Sequence, residues 1–214
     1  GNLNASTSST QVITAQGAFT DETSGALANA GTDINDLDQT TTDLTSGDEI
    51  TIQVATNDGS GTESATFTYG SGEDGTTLAD MVGAFNSGGV DGSSLSECQI
   101  SLVDGMLRLK SSQMGDSSFD VSSFSVNDAD TSGSAMNLPG FQVAQEGDTG
   151  TQTMSTTVYD WLGNEHSLLV DFTQTGEGQW DYEAKFADGE SITGINGDNG
   201  TGSVSGDNAV ASGT

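Results

Sequence analysis

The sequence predicts a mainly β protein: a discontinuous β-rich domain, sandwich or barrel-like, with a small α+β domain carrying one helix inserted into it. Three observations carry this. Residues 156–186 read as three consecutive strands around short turns. Apolar residues at i, i+3, i+4 and i+7 occur over Leu78–Asn86 and nowhere else as clearly. Short β-branched stretches on either side of that helix are separated by clusters of Gly, Asn, Asp and Ser.

The clearest stretch is Thr156 to Phe172. Val158, Tyr159 and Asp160 lead into Leu162-Gly163-Asn164, where Gly and Asn tolerate the positive φ that a reversal needs. Leu168, Val170 and Phe172 then alternate with Leu169 and Asp171, the period of a half-buried strand. After Thr175-Gly176-Glu177-Gly178 comes a third strand. It sets Trp180, Tyr182, Ala184 and Phe186 on one face and Asp181, Glu183 and Lys185 on the other. Such a sheet has one apolar face and needs a second layer to cover it.

Earlier in the chain, Gln11–Ala15 reads as a short strand, and residues 21–47 as a polar connection with a turn of helix near Leu27. Glu49–Val54 alternates cleanly, Asn57–Gly61 is a turn, and Ser64–Tyr69 returns. Thr77 and Asp80 form a capping box for the helix, which Gly88-Gly89 ends. Cys98–Val103 and Met106–Lys110 flank Asp104-Gly105, the signature of a two-residue type I′ hairpin. That closure places Ile100, Leu102, Leu107 and Leu109 on one face, with Cys98 in phase and pointing inward. Phe119, Val121, Phe124 and Val126 mark one or two further strands. The predicted domains are 1–33 with 146–214, and the inserted 34–145.

Charge narrows the function classes. The chain has 214 residues, with 32 Asp and Glu against 3 Lys and Arg, a formal net charge of −29. Binding to nucleic acid or to anionic membrane rests on basic residues neutralising phosphates, so neither is expected as a partner. The same charge suits a solvated exterior, or a saline medium in which counterions screen it. No run approaches the ~18 apolar residues of a membrane-spanning helix, and no signal peptide is read. One Cys forbids an internal disulfide.

No candidate site survives inspection. Gly70-x-Gly72-x-x-Gly75 has the letters of a dinucleotide fingerprint, but Glu73 and Asp74 would repel a pyrophosphate and no parallel strand follows. Asp128-x-Asp130-x-Ser132-Gly133 begins like a calcium loop, yet Pro139 stands where the closing Glu belongs. His166 is the one His, with no metal-ligand spacing around it and no Gly-x-Ser-x-Gly elbow in the chain. Cys98 is expected to be buried and inert. Trp180, Tyr182 and Phe186 could form a sugar platform, but a stripe at strand spacing reads as core. No catalytic, cofactor-binding or metal-ligating residue is assigned, and no small-molecule substrate.

One resemblance bears on function. Val-Tyr-Asp-x-Leu-Gly-Asn-x-His at 158–166, an apolar strand ending in Phe172-Thr173, and Trp180 after a short turn together resemble the outer domain of the bacterial flagellar hook protein. Gly1–Ala5 resembles the segment entering that domain, and Gly197–Gly213 the strand and turn that close it. The likeness covers roughly 1–20 and 145–214, and it departs from the family at Trp161 and at Val204-Ser205. Residues 34–145 resemble insertion modules of hook proteins and flagellins. The resemblance implies a structural, extracellular subunit of the flagellar hook, not an enzyme. It implies an outer-domain core fragment that lacks the terminal helices through which the family forms homopolymers. It further implies weak, sliding contacts between outer domains. The alternative class is an extracellular adhesin or carbohydrate-binding β-module.

Overall fold

A computed structural model describes residues 8–115, 117–127, 135–160, 162–176, 179–187 and 209–213, with the backbone alone at 175, 176, 179 and 209–213. The chain divides into two units, Thr10–Gly147 and Gly1–Ser9 with Asp148–Thr214.

In the Thr10–Gly147 unit, β1 (Thr10–Ala15) lies between β5 (Met106–Met114) and β7 (Phe141–Gln145), with β4 (Cys98–Val103) outside β5. A second sheet has β2 (Glu49–Ala55) at its centre, flanked by β3 (Thr62–Thr68) and β6 (Val121–Asn127). All pairings are antiparallel. Ile50, Ile52 and Val54 alternate with Glu49, Thr51 and Gln53, and the first set is fully buried. Helix α1 (Leu78–Ser87) packs on β3 and β4, burying Leu78, Met81, Ala84 and Phe85. Its capping box is formed: the Asp80 backbone N–H donates to Thr77 Oγ1, and Asp80 accepts the Thr77 backbone N–H. One contiguous apolar cluster joins both sheets and the helix, from Ile13 and Phe19 through Phe67 and Phe85 to Leu109 and Phe119.

The hairpin follows the expected register, Val103↔Met106, Leu102↔Leu107 and Ile100↔Leu109. Asp104 (φ 50°) and Gly105 (φ 74°) both take the left-handed region that a type I′ turn requires. Cys98 is buried with Ile100 and Leu107.

Two expectations are revised, and one strand is added. The domain boundary falls at residue 10 and not at 34. β1 is hydrogen-bonded on both sides, and Phe19 and Ala28 belong to the same core as Ile50 and Leu109. The helical turn near Leu27 is instead a 3-10 turn at Ile34–Asp36, where Asp33 accepts the Asn35 backbone N–H; Ile34 is buried and Leu27 exposed. β7 was not foreseen: only Phe141 is half-buried in it, so it lacks an apolar stripe, and its place comes from pairing with β1.

The other unit holds a four-stranded antiparallel sheet in the order β11-β10-β9-β8. Its strands are β8 (Thr151–Tyr159), β9 (Glu165–Gly176), β10 (Gln179–Phe186) and β11 (Ala209–Gly213). The sheet is open, so the barrel form is not realised among the described residues. β8 begins earlier than its apolar residues announce, because Thr and Ser supply most of it.

Candidate functional site

Where the residues weighed from sequence are described, their side chains make contacts within the fold. In the Gly70–Gly75 loop, the Asp74 carboxylate turns onto backbone amides. Thr68 N–H donates to Oδ2 at 2.7 Å and Val90 N–H to Oδ1 at 2.6 Å. The amides a phosphate would need are engaged elsewhere: Gly70, Glu73, Asp74 and Gly75 N–H donate to backbone carbonyls, and Thr76 and Thr77 N–H donate to Asp80 Oδ2. The stretch Asp128–Gly133 lies outside the described residues. Among those described, no group of three or more His, Cys, Asp or Glu is placed to hold a metal ion, and no helix is long and apolar enough to cross a membrane.

Cys98 is 6% exposed. Burial pushes its thiol up to about 12, and the carboxylates of Glu63 and Glu97 add to this. A thiol so held is a poor nucleophile. Tyr69 is similarly raised to about 12, first by burial, then by donating its hydroxyl to Asp33 at 3.0 Å.

The β8–β10 sheet carries the chemistry of an exterior surface. Register places Met154, Val158, Leu168, Val170, Phe172, Tyr182, Ala184 and Phe186 on one face. Thr153, Ser155, Thr157, Asp171, Glu183 and Lys185 lie on the other. On the polar face, Lys185 Nζ sits 2.6 Å from Asp171 Oδ2, and Thr153 also donates to Asp171. The lysine hydrogen bond lowers the Asp171 pKa and raises that of Lys185. Phe172 meets Tyr182 and His166 meets Phe186 on the apolar face.

That face is only partly covered. Trp180 is half-buried, Tyr182 is 36% exposed and Met154 52% exposed, whereas the sequence pattern called for a covered core stripe. Alternation reports which side of a strand is apolar, not how fully a second layer closes over it.

The β8–β9 turn is braced by one side chain. Asp160 accepts the backbone N–H groups of Leu162 and Asn164, each at 2.8 Å, and the Asn164 amide at 2.7 Å. These bonds hold the Asp160 carboxyl below its usual range. His166 Nε2 lies 3.6 Å from its Oδ2. Gly163 (φ 83°) makes the reversal. Asp160, Gly163, Asn164 and His166 thus act as turn and strand residues. Trp161 lies outside the described residues.

Sequence reasoning missed the plainness of β8. Its nine residues, Thr-Gln-Thr-Met-Ser-Thr-Thr-Val-Tyr, contain no acidic or basic side chain, and most are exposed. The signal was present as a gap in the charge pattern of a strongly acidic chain.

Residues 128–213 match the family model described as the flagellar basal body protein FlaE D2 domain. The matched segment runs from before β7 through β11. No curated protein and no solved structure matches the chain.

Proposed function

With a FlaE D2 domain at residues 128–213 marking it as part of a flagellar hook protein, we propose that this chain is an outer portion of the hook subunit. The hook is the flexible joint that carries torque from motor to filament. In this reading the unit ending at Thr214 is a discontinuous outer domain, and Thr10–Gly147 is an insertion carried on it. The chain works without catalytic, cofactor-binding or metal-ligating residues. It self-assembles as a homopolymer, outside the cell.

Mechanically, a bending hook shortens and lengthens each row of subunits once per turn. Contacts between outer domains must then break and re-form cheaply. A surface of Gly, Ser, Thr and Asp supports that, since it offers few apolar anchors of the kind that dominate tight interfaces. The observation that carries the reading is the D2 match over a sheet in which Val158 and Tyr159 end β8 and Asp160 and Asn164 form the turn into β9.

The test is placement in the cell. An epitope inserted in the exposed turn at Gly59–Gly61 of the full-length subunit should label isolated hook–basal bodies along the hook. Label on the filament alone, or on no part of the flagellum, would refute the assignment.

A further inference from the structure

We propose that the outer face of the β4-β5-β1-β7 sheet docks the acidic exterior of a second copy of this chain, through Arg108 and Lys110. The proposal rests on the hook reading above and names a surface by which copies meet.

Of the 3 basic residues in the chain, two are Arg108 and Lys110. They stand two apart on β5, so both project from one side of the sheet, and both are exposed. Leu107 and Leu109, on the opposite side, are fully buried. Strand pairing gives each basic residue a row of neighbours. Arg108 lies between Ser101 of β4 and Thr14 of β1, and Lys110 between Gln99 and Val12. Beyond β1, β7 adds Gln142 and Gln145 to these rows. Neither row contains Asp or Glu.

The third basic residue shows what the alternative looks like. Lys185 is held by Asp171 of its own sheet at 2.6 Å. Among the described residues, neither Arg108 nor Lys110 forms such an ion pair. In a chain with 32 carboxylates, these two cations stand exposed among neutral cross-strand neighbours.

Charge identifies the occupant. Two copies, each at −29, repel over most of their surfaces. The orientation that repels least turns these two cations, with their neutral flanks, toward carboxylates of the neighbour. A complementary face of this kind sets which surfaces meet, and in what register, more than how tightly they hold. Exposed ion pairs are weak and are screened by salt, so the contact can part and re-form as the assembly bends.

Zero-length cross-linking of the assembled full-length subunit tests this. A carbodiimide joins an amine to a carboxylate that touches it, and assembling copies that carry light nitrogen with copies that carry heavy nitrogen marks the joins between copies. Peptides joining Lys110 of one copy to an Asp or Glu of another should form, and should fall at least ~5-fold in about 1 M NaCl. Arg108→Glu should lower them at least ~10-fold, with the Lys185–Asp171 join inside each copy unchanged. Mixed joins unaffected by Arg108→Glu would overturn the docking. So would assembled copies in which Lys110 joins only its own chain or no carboxylate, and either result leaves the hook reading standing. A full-length wild-type subunit that never self-associates would overturn both.

Discussion

Asn86 and Ile100 form a closed pair between a side chain and a main chain: Asn86 Nδ2 donates to Ile100 O at 2.8 Å, and Ile100 N–H donates to Asn86 Oδ1 at 2.8 Å. The last turn of α1 thereby completes the edge of β4 as another strand would.

Asn86→Ala should remove both bonds and leave an edge N–H and C=O without partners. The expected cost is about 2–3 kcal/mol in urea unfolding, with light scattering rising at high protein concentration as the edge opens. A variant with wild-type stability and no added association would show that the pairing is incidental.

Asp74 ties three separate segments, since Thr68 and Val90 both donate to it from outside its own turn. Asp74→Ala should destabilise by about 2–4 kcal/mol, because two amide donors lose a charged acceptor. Adding nucleotide or phosphate should not restore the loss; restoration would revive the binding reading of the Gly70–Gly75 loop.

Alkaline stability should report Cys98 and Tyr69. Both have folded pKa values near 12, raised from 9.0 and 10.0. A raised folded pKa means the contribution is fully present below the unfolded value and fades as pH climbs through the folded one. Urea midpoints should therefore fall between about pH 9 and 12, less steeply in Cys98→Ala and Tyr69→Phe. Iodoacetamide at pH 8 should modify Cys98 in urea at least ~100-fold faster than in buffer. Rapid native alkylation would contradict the burial of that thiol.

Salt should stabilise the fold. The net charge is −29 with 3 basic residues, and self-repulsion across an acidic surface weakens as the screening length shrinks. Raising NaCl from 10 mM to 1 M should lift the melting temperature by roughly 5 °C or more, on the order of 2 kcal/mol. A flat or falling profile in calorimetry would show that the acidic side chains are spaced widely enough not to oppose folding.

Several elements could be read directly from the residues. The Asp104-Gly105 turn, the capping box of Thr77 and Asp80, and the alternation of β2 and β9 each depend on near neighbours in the chain, and each formed in register. Cys98 could be placed inside because it shares a face with Ile100 and Leu107 across a two-residue turn. The candidate sites were weighed by the same means: Glu73 and Asp74 already argue against an anion in the Gly70–Gly75 loop.

What only tertiary structure decided depends on partners far along the chain. β1 joined the Thr10–Gly147 unit because β5 and β7, roughly a hundred residues on, close on both its edges. β7 exists as a strand because β1 offers it a ladder. The half-covered state of Trp180 is equally invisible in a one-dimensional pattern. Alternation tells which side chains share a face, since it follows from the pleat. Whether another layer or strand comes to lie against that face or edge is settled by long-range packing.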